Sequence, residues 1–279
     1  MARRRLDSVL MERGLFRSRS AAAAAILAGD VHVGPGRDRA GKPGELVHED
    51  VVISVRQRPT YVSRGGVKLE NALEALDLDV ADRNALDVGA STGGFTDCLL
   101  QRGARRVIAL DVAYGQLSYQ LRTDRRVHVI ERVNARTISS QMLPYLPDLA
   151  VIDVSFISLR KVLPAVLQCL GAKYDVLALV KPQFEVGRER VGGGGVVRDP
   201  EHRRSALIDV GRCALELRAS VLAYRSSGLP GPKGNRESFV WIGEPSRAGA
   251  AADDQDLLRM AMEAEQQGLE DACGSGVRS

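Results

Sequence analysis

The chain has 279 residues, 44% of them apolar and 27% charged, which allows one full α/β domain and a smaller module, each with a packed core. Its apolar runs fall short of the ~20 residues of a membrane span and no signal-peptide core follows the basic start, so neither a spanning segment nor a leader is expected. The formal net charge of +4 hides an asymmetry, because residues 1–60 hold 11 Lys+Arg against 7 Asp+Glu while the segment from Pro245 onward holds 3 against 7, and a basic body suits a polyanionic partner.

In chain order, Arg3-Arg4-Arg5 leads into a short helix with Leu6, Val9 and Leu10 on one face, ended by Gly14. Ser18 is positioned as N-cap of a second helix, Arg19 to Ala28, stopped by Gly29. Val31–Val33, a Gly34-Pro35-Gly36 turn and Val51–Val55 follow as short strands. Arg13, Arg17 and Arg19 crowd the junction of the two helices, where they suit a phosphate backbone. A solvated arginine face is the alternative. This order of elements, with its arginine spacing, resembles the S4-type RNA-binding module over residues 1–58. Residues 59–63 form a linker around Pro59, which disfavours helix just before it. A helix is then expected from about Val67, with Leu69, Ala72, Leu73 and Leu76 on one face. Lys68 falls in its first turn, where the helix dipole disfavours a cation; a polyanionic or catalytic partner would account for it, and an exposed lysine with no task is the alternative.

The most informative stretch runs from Asn84 through Asp87, Gly89, Ala90, Ser91, Thr92, Gly93, Gly94 and Phe95 to Thr96. It reads as strand, small-residue turn and helix, an order that brings backbone close to a nucleotide-like ligand. A dinucleotide fingerprint would need glycine at Ser91. Asp87, two positions before the first glycine, suits a positively charged ligand such as S-adenosylmethionine. A nicotinamide cofactor and a purely structural turn are the competing readings. Arg106–Asp111 is the next strand, and an acid at its end, Asp111, can accept from both ribose hydroxyls of an adenosine. Val127–Ile130 follows, and Asn134 beyond it could read an adenine edge. Strands are also expected at Leu149–Asp153, Val176–Val180, Val221–Tyr224 and Glu237–Ile242, with a helix from about Asp199 to Leu217.

Alternating strands and helices imply a mostly parallel sheet covered on both faces. Gly89, Asp111, Asn134, Asp153 and Lys181 all fall at strand carboxyl ends, where such sheets bind ligands. The loop Gly187–Val197 is either a substrate lid or a tolerant insertion, and Leu229–Arg236 is a second rim loop. Residues 245–279 form an acidic tail, partly helical or disordered, with helical spacing at Leu257, Leu258, Met260, Ala261 and Ala264 and no chemistry assigned. Cys98, Cys169, Cys213 and Cys273 are far apart and form no CxxC, which reads as reduced thiols in a cytoplasmic protein. The histidines are equally scattered, and no metal site is expected.

With these residues in place the chain resembles the TlyA (haemolysin A) family of ribosomal RNA methyltransferases, which join an S4-type module to a catalytic domain similar to FtsJ/RrmJ. The resemblance rests on Tyr61-Val-Ser-Arg-Gly-Gly-x-Lys68-Leu, Leu86 to Thr96, Asp111-Val-x-Tyr-Gly-Gln-Leu117, Asp153 to Leu159, Val180 to Gly187 and Gly231-Pro-x-Gly-Asn235. Tyr61 stands where a tryptophan is expected, and the tail is not covered. The resemblance implies a small α+β S4-type domain followed by a Rossmann-like methyltransferase sheet over 64–244. It implies S-adenosylmethionine-dependent 2′-O-methylation of ribose, at cytidines of small- and large-subunit ribosomal RNA. The cofactor set would be Asp87, Gly89 to Phe95, Asp111, Asn134, Ala135 and Asp153. The RNA contacts would include Arg4, Arg13, Arg17, Arg19 and Arg64, and the catalytic set is Lys68, Asp153, Lys181 and Glu237. A lysine must be neutral to take a proton, and its ordinary pKa is ~10.4. Lys181 is expected as base or proton relay, with Asp153 and Glu237 orienting it and Lys68 lowering its pKa and holding substrate phosphate. The expected partner is ribosomal RNA within ribosomal subunits, with no membrane and no obligate protein partner. The rival classes are a non-catalytic RNA-binding or ribosome-assembly factor and a membrane-active haemolysin.

Overall fold

A computed structural model describes residues 3–36, 38–56 and 59–274, with side chains described to residue 270. Gln57 and Arg58, at the expected edge of the linker, the side chain of Cys273 and the last five residues of the tail lie outside the described residues. The chain divides into two compact units, Met1–Thr60 and Tyr61–Ser279.

The first unit contains β1 (Arg3–Arg5), α1 (Leu6–Glu12), α2 (Arg19–Ala28), β2 (Val31–Val33), β3 (Asp38–Arg39), β4 (Leu46–His48) and β5 (Ile53–Val55). β1 pairs antiparallel with β4, and β2 lies between β3 and β5. The predicted stripe is the core: Leu6, Val9 and Leu10 pack with Ala22, Ile26 and Val31. Ser18 accepts from the Ala21 N–H at 3.2 Å and Gly29 closes α2 at φ +79°, as a cap and a left-handed stop should. The triple arginine, expected only as a lead-in, forms an edge strand. Arginine alternation carries no apolar signal, so only the pairing with Leu46–His48 reveals it.

The second unit carries α3 (Arg64–Ala75), β6 (Asn84–Val88), α4 (Gly94–Gln101), β7 (Arg106–Asp111), α5 (Tyr119–Arg122), β8 (Val127–Glu131), β9 (Leu149–Ile152), α6 (Leu163–Leu167), β10 (Asp175–Val180), α7 (Pro182–Glu185), α8 (Pro200–Glu216), β11 (Ser220–Ser226), β12 (Ser238–Gly243) and α9 (Asp254–Gly274). Its seven-stranded sheet has the order β11-β12-β10-β9-β6-β7-β8, parallel except that β12 runs antiparallel to both neighbours. β6, β9 and β10 bury every residue except Asn84, as strands covered on both faces do, and the two faces belong to two separate apolar clusters. The order reverses between β6 and β9. A crevice opens there beyond the strand ends.

One expectation needs correction. α3 begins at Arg64, not near Val67, because Ser63 caps it by accepting from the Gly65 N–H at 3.3 Å. Lys68 is therefore in the second turn, and the dipole argument for it loses force. The tail from 245 carries a helix, α9, that docks on the sheet. Leu257, Met260, Ala261 and Ala264 of α9 are buried in the same cluster as the sheet, and only Leu258 of the predicted stripe faces out. Among the described residues no helix is long and apolar enough to cross a membrane.

Candidate active site at the sheet's switch point

After β6 the chain turns at Gly89 (φ +88°), whose N–H and that of Ala90 both donate to the Leu110 carbonyl on β7. A Cβ on Gly89 would lie 2.5 Å from the Asp153 carbonyl oxygen, so glycine is what allows the ends of β6 and β9 to close on each other. Ser91 adopts φ +49° and donates its N–H to Asp111 Oδ2 at 2.7 Å, while Oδ1 takes the Ala113 N–H at 2.7 Å. Each Asp111 oxygen keeps a further lone pair for a ligand hydroxyl. Gly94 opens α4 where a Cβ would sit 2.1 Å from Ser63 Oγ and 2.9 Å from the Gly66 nitrogen, so the starts of α3 and α4 touch.

Two cavities meet at this turn and share Gly89, Ser91 and Asp153. One, of about 490 Å³, is lined by Asp111, Asn134, Ala135 and Phe156. Asn134 accepts the Arg136 N–H at 3.0 Å, and its Nδ2 has no protein partner among the described residues. The other, of about 430 Å³, is lined by Ala90, Thr92, Gly94, Phe95, Ser63, Arg64 and the four residues Lys68, Asp153, Lys181 and Glu237. Gly93 lines neither. It packs beneath, where a Cβ would meet Leu121 at 2.2 Å.

The four converging side chains form two ion pairs. Lys181 Nζ lies 2.5 Å from Asp153 Oδ1 and donates to Ser155 Oγ at 3.1 Å. Lys68 Nζ lies 2.5 Å from Glu237 Oε2, with side chains 9% and 1% exposed. Glu237 was expected to orient Lys181, but its observed partner is Lys68. Glu237 Oε1 is buried without a partner.

Asp87, expected to meet the ligand, is fully buried beneath the turn and lines neither cavity. Its Oδ2 accepts the Thr96 hydroxyl at 2.6 Å, tying β6 to the first turn of α4. Oδ1 has no partner, and burial pushes the carboxyl up to about 7, with Asp153 and Asp111 adding to the rise.

Several site residues stand in the quoted segments Asp153 to Leu159 and Val180 to Gly187 but were given no role there. Ser155 fixes Lys181. Phe156 is 91% exposed at φ +64° and pairs with Phe184 at 5.3 Å. Glu185, on α7, accepts from Ser158 Oγ at 2.6 Å and the Leu159 N–H at 2.7 Å, which clamps the loop bearing Ser155. Burial raises its carboxyl pKa. Their signal was membership of those segments, beside Asp153 and Lys181. Among the described residues no cluster of His, Cys, Asp and Glu is placed to hold a metal ion.

The basic residues of the first unit are partly committed. Arg13 donates to the Val51 carbonyl at 2.7 Å and to the Glu49 carbonyl, Arg4 pairs with Glu12 at 2.5 Å, and Arg19 reaches Asp7 at 3.4 Å. Arg17 is exposed with no side-chain partner among the described residues. In the second unit Arg64 donates to the Pro230 carbonyl at 3.1 Å on the cavity rim.

Comparison with known proteins finds relatives over most of the chain. Residues 61–244 match the FtsJ-like methyltransferase family. A Mycobacterium tuberculosis protein, the 16S/23S rRNA (cytidine-2′-O)-methyltransferase TlyA, is 47% identical over 94% of this chain and 98% of its own length. Hemolysin A of Brachyspira hyodysenteriae is 41% identical over 84% of this chain and 97% of its own. A solved structure of a candidate hemolysin from Streptococcus thermophilus superposes with a TM-score of 0.71 at 36% identity, covering 98% of this chain and 99% of that one.

Proposed function

The chain belongs to the TlyA family of S-adenosylmethionine-dependent, FtsJ-like methyltransferases, and on that footing we propose that it methylates ribose 2′-hydroxyls of cytidines in ribosomal RNA. The observation that carries the reading is the pair of lysine–carboxylate contacts lining a cavity that opens onto Asp111 and the glycine turn. The residues fit the cofactor. Asp111 has lone pairs free for ribose hydroxyls, Asn134 has a free amide nitrogen, and the Gly89 turn leaves room where a Cβ would fill the crevice. When bound, S-adenosylmethionine supplies the electrophilic methyl group.

Lys181 Nζ, held between Asp153 and Ser155, is the group that receives the 2′-hydroxyl proton, and it must enter the step as the neutral amine. The hydrogen bond to Ser155 and the contact with Asp153 hold that nitrogen at the cavity, where the hydroxyl oxygen can be lined up with the methyl carbon. Lys68 and Arg64 supply positive charge for the phosphates flanking the target ribose, and Glu237 keeps Lys68 in place. The exposed Phe156 ring offers a face on which a base can stack. The first unit serves as an S4-type RNA-binding module, with Arg17 among its exposed cations without a side-chain partner among the described residues, and the protein works in the cytoplasm on ribosomal subunits.

The test is methyl transfer to ribosomal subunits from cells lacking this enzyme. Lys181→Ala should lower kcat by about 10²–10⁴-fold while S-adenosylmethionine binding persists. Lys181→Arg should fail nearly as badly, since a guanidinium stays protonated. Near-normal turnover by the arginine variant would overturn the base assignment. Stoichiometric cofactor binding with no transfer by the wild-type protein would overturn the enzyme reading.

A further inference from the structure

α9 lies beyond the residues that match the catalytic family, yet one of its side chains is wired to the active-site rim. Glu265 holds Arg203 of α8 in a bidentate pair, with both contacts 2.7 Å and the side chains 13% and 9% exposed. The remaining donor of Arg203 bonds the Arg198 carbonyl at 2.7 Å and the Val197 carbonyl at 3.3 Å. Those residues end the glycine-rich loop. Asn235, 2% exposed, takes the other side of that loop, with its Oδ1 accepting the Val197 N–H at 2.9 Å and its Nδ2 donating to the Gly195 carbonyl at 2.8 Å. An amide is the side chain that can pair with an N–H and a C=O at once. The Asn235 carbonyl accepts from the Gly231 N–H at 2.8 Å, closing the rim turn, and a Cβ on Gly231 would lie 2.4 Å from Glu237 Oε1. The rim turn therefore packs directly on the carboxylate that holds Lys68.

We infer that Glu265 is a positioning residue for the active site, acting through Arg203, the Val197–Arg198 backbone and Asn235 to fix the rim turn that seats Glu237. The links are buried or part-buried polar contacts, the kind of network that holds one arrangement against alternatives. The glycine-rich loop, with Gly194 and Gly195 both at positive φ, has little stiffness of its own and takes its shape from these two clamps. The inference rests on the catalytic reading of the Lys68–Glu237 pair, because a small displacement of that pair matters only if turnover depends on its geometry.

The experiment measures kcat, RNA KM and S-adenosylmethionine Kd on ribosomal subunits lacking the modification, for Glu265→Gln, Asn235→Ala and their double variant. Glu265→Gln should lower kcat about tenfold with cofactor Kd unchanged within twofold. The double variant should be no slower than Asn235→Ala alone, since both cut one relay. Asp254→Asn, which breaks the exposed Arg212–Asp254 pair elsewhere on α9, should leave kcat unchanged. Glu265→Asp, a milder change that keeps the charge, should give an intermediate loss and serves where the glutamine variant folds poorly. Multiplicative losses in the double variant, or a kcat fall matched by Asp254→Asn, would make α9 a general support and overturn the relay. Full activity in Glu237→Gln would overturn the catalytic reading and the relay with it. An inactive Glu237→Gln beside a normal Glu265→Gln would overturn the relay alone.

Discussion

Replacing Asp87 with asparagine should remove a pH dependence that burial builds into the catalytic unit. The carboxyl is 0% exposed, has one oxygen, Oδ1, without a partner, and is raised from 3.8 to about 7 chiefly by desolvation. Between those values the folded protein keeps a proton that the unfolded chain has released. Its contribution to stability is intact below the unfolded pKa, declines as pH rises through that window, and is gone above about 7. At 1.36 kcal/mol per unit the full change is on the order of 4 kcal/mol, with no discount for solvent because none reaches the group. Asparagine keeps an oxygen for the Thr96 hydroxyl and cannot ionise. Denaturant unfolding of the cofactor-free proteins from pH 4 to pH 8 should therefore show the stability difference moving toward the variant by roughly that amount. Parallel profiles for the two proteins would show that Asp87 ionises normally and would refute the reasoning.

Asp111→Ala should weaken S-adenosylmethionine binding by about 10- to 100-fold, the worth of a charge-assisted hydrogen bond, and calorimetry would read it; unchanged affinity would move the ribose elsewhere. Gly94→Ala drives a methyl to within 2.1 Å of Ser63 Oγ and should cost about 1–3 kcal/mol in the melting of the catalytic unit. An unchanged melting temperature would mean that α3 and α4 can part freely. Arg17→Glu should weaken RNA binding and flatten its salt dependence by about one to two units of slope while leaving cofactor affinity alone. Arg13 is the poorer target, because its guanidinium ties α1 to the Glu49 and Val51 carbonyls and reversal there would perturb the fold as well.

Much of the architecture was legible in the chain itself. Apolar runs ending in Gly89, Asp111, Asp153 and Lys181 mark covered strands with polar carboxyl ends, and the Ser18 and Gly29 caps bound α2, because periodicity and capping act within one or two turns of chain. The resemblance then pointed to Lys68, Asp153, Lys181 and Glu237 as a candidate set, and the fold lines one cavity with them. Short-range pattern is silent on what lies beyond that range. β1, β3 and β4 are two or three residues long and carry no apolar alternation, so they exist only through pairing. The start of α3 is set by Tyr61, whose ring lies 2.3 Å from where a Gly66 Cβ would be, and by Ser63 against Gly94.

The Lys181–Asp153 pairing was expected, but that Glu237 takes Lys68 was equally out of reach. Lys68 and Glu237 stand 169 positions apart and meet because β12 inserts beside β10, while Lys181 is held by Asp153 and Ser155 from the neighbouring β9. The same holds for α9, whose helical spacing was readable but whose docking was not. Residue order thus determined the strands, their polar ends and the candidate chemistry. Strand order alone decided which of those ends share a cavity, since contact between distant segments is a property of packing rather than of any local run of residues.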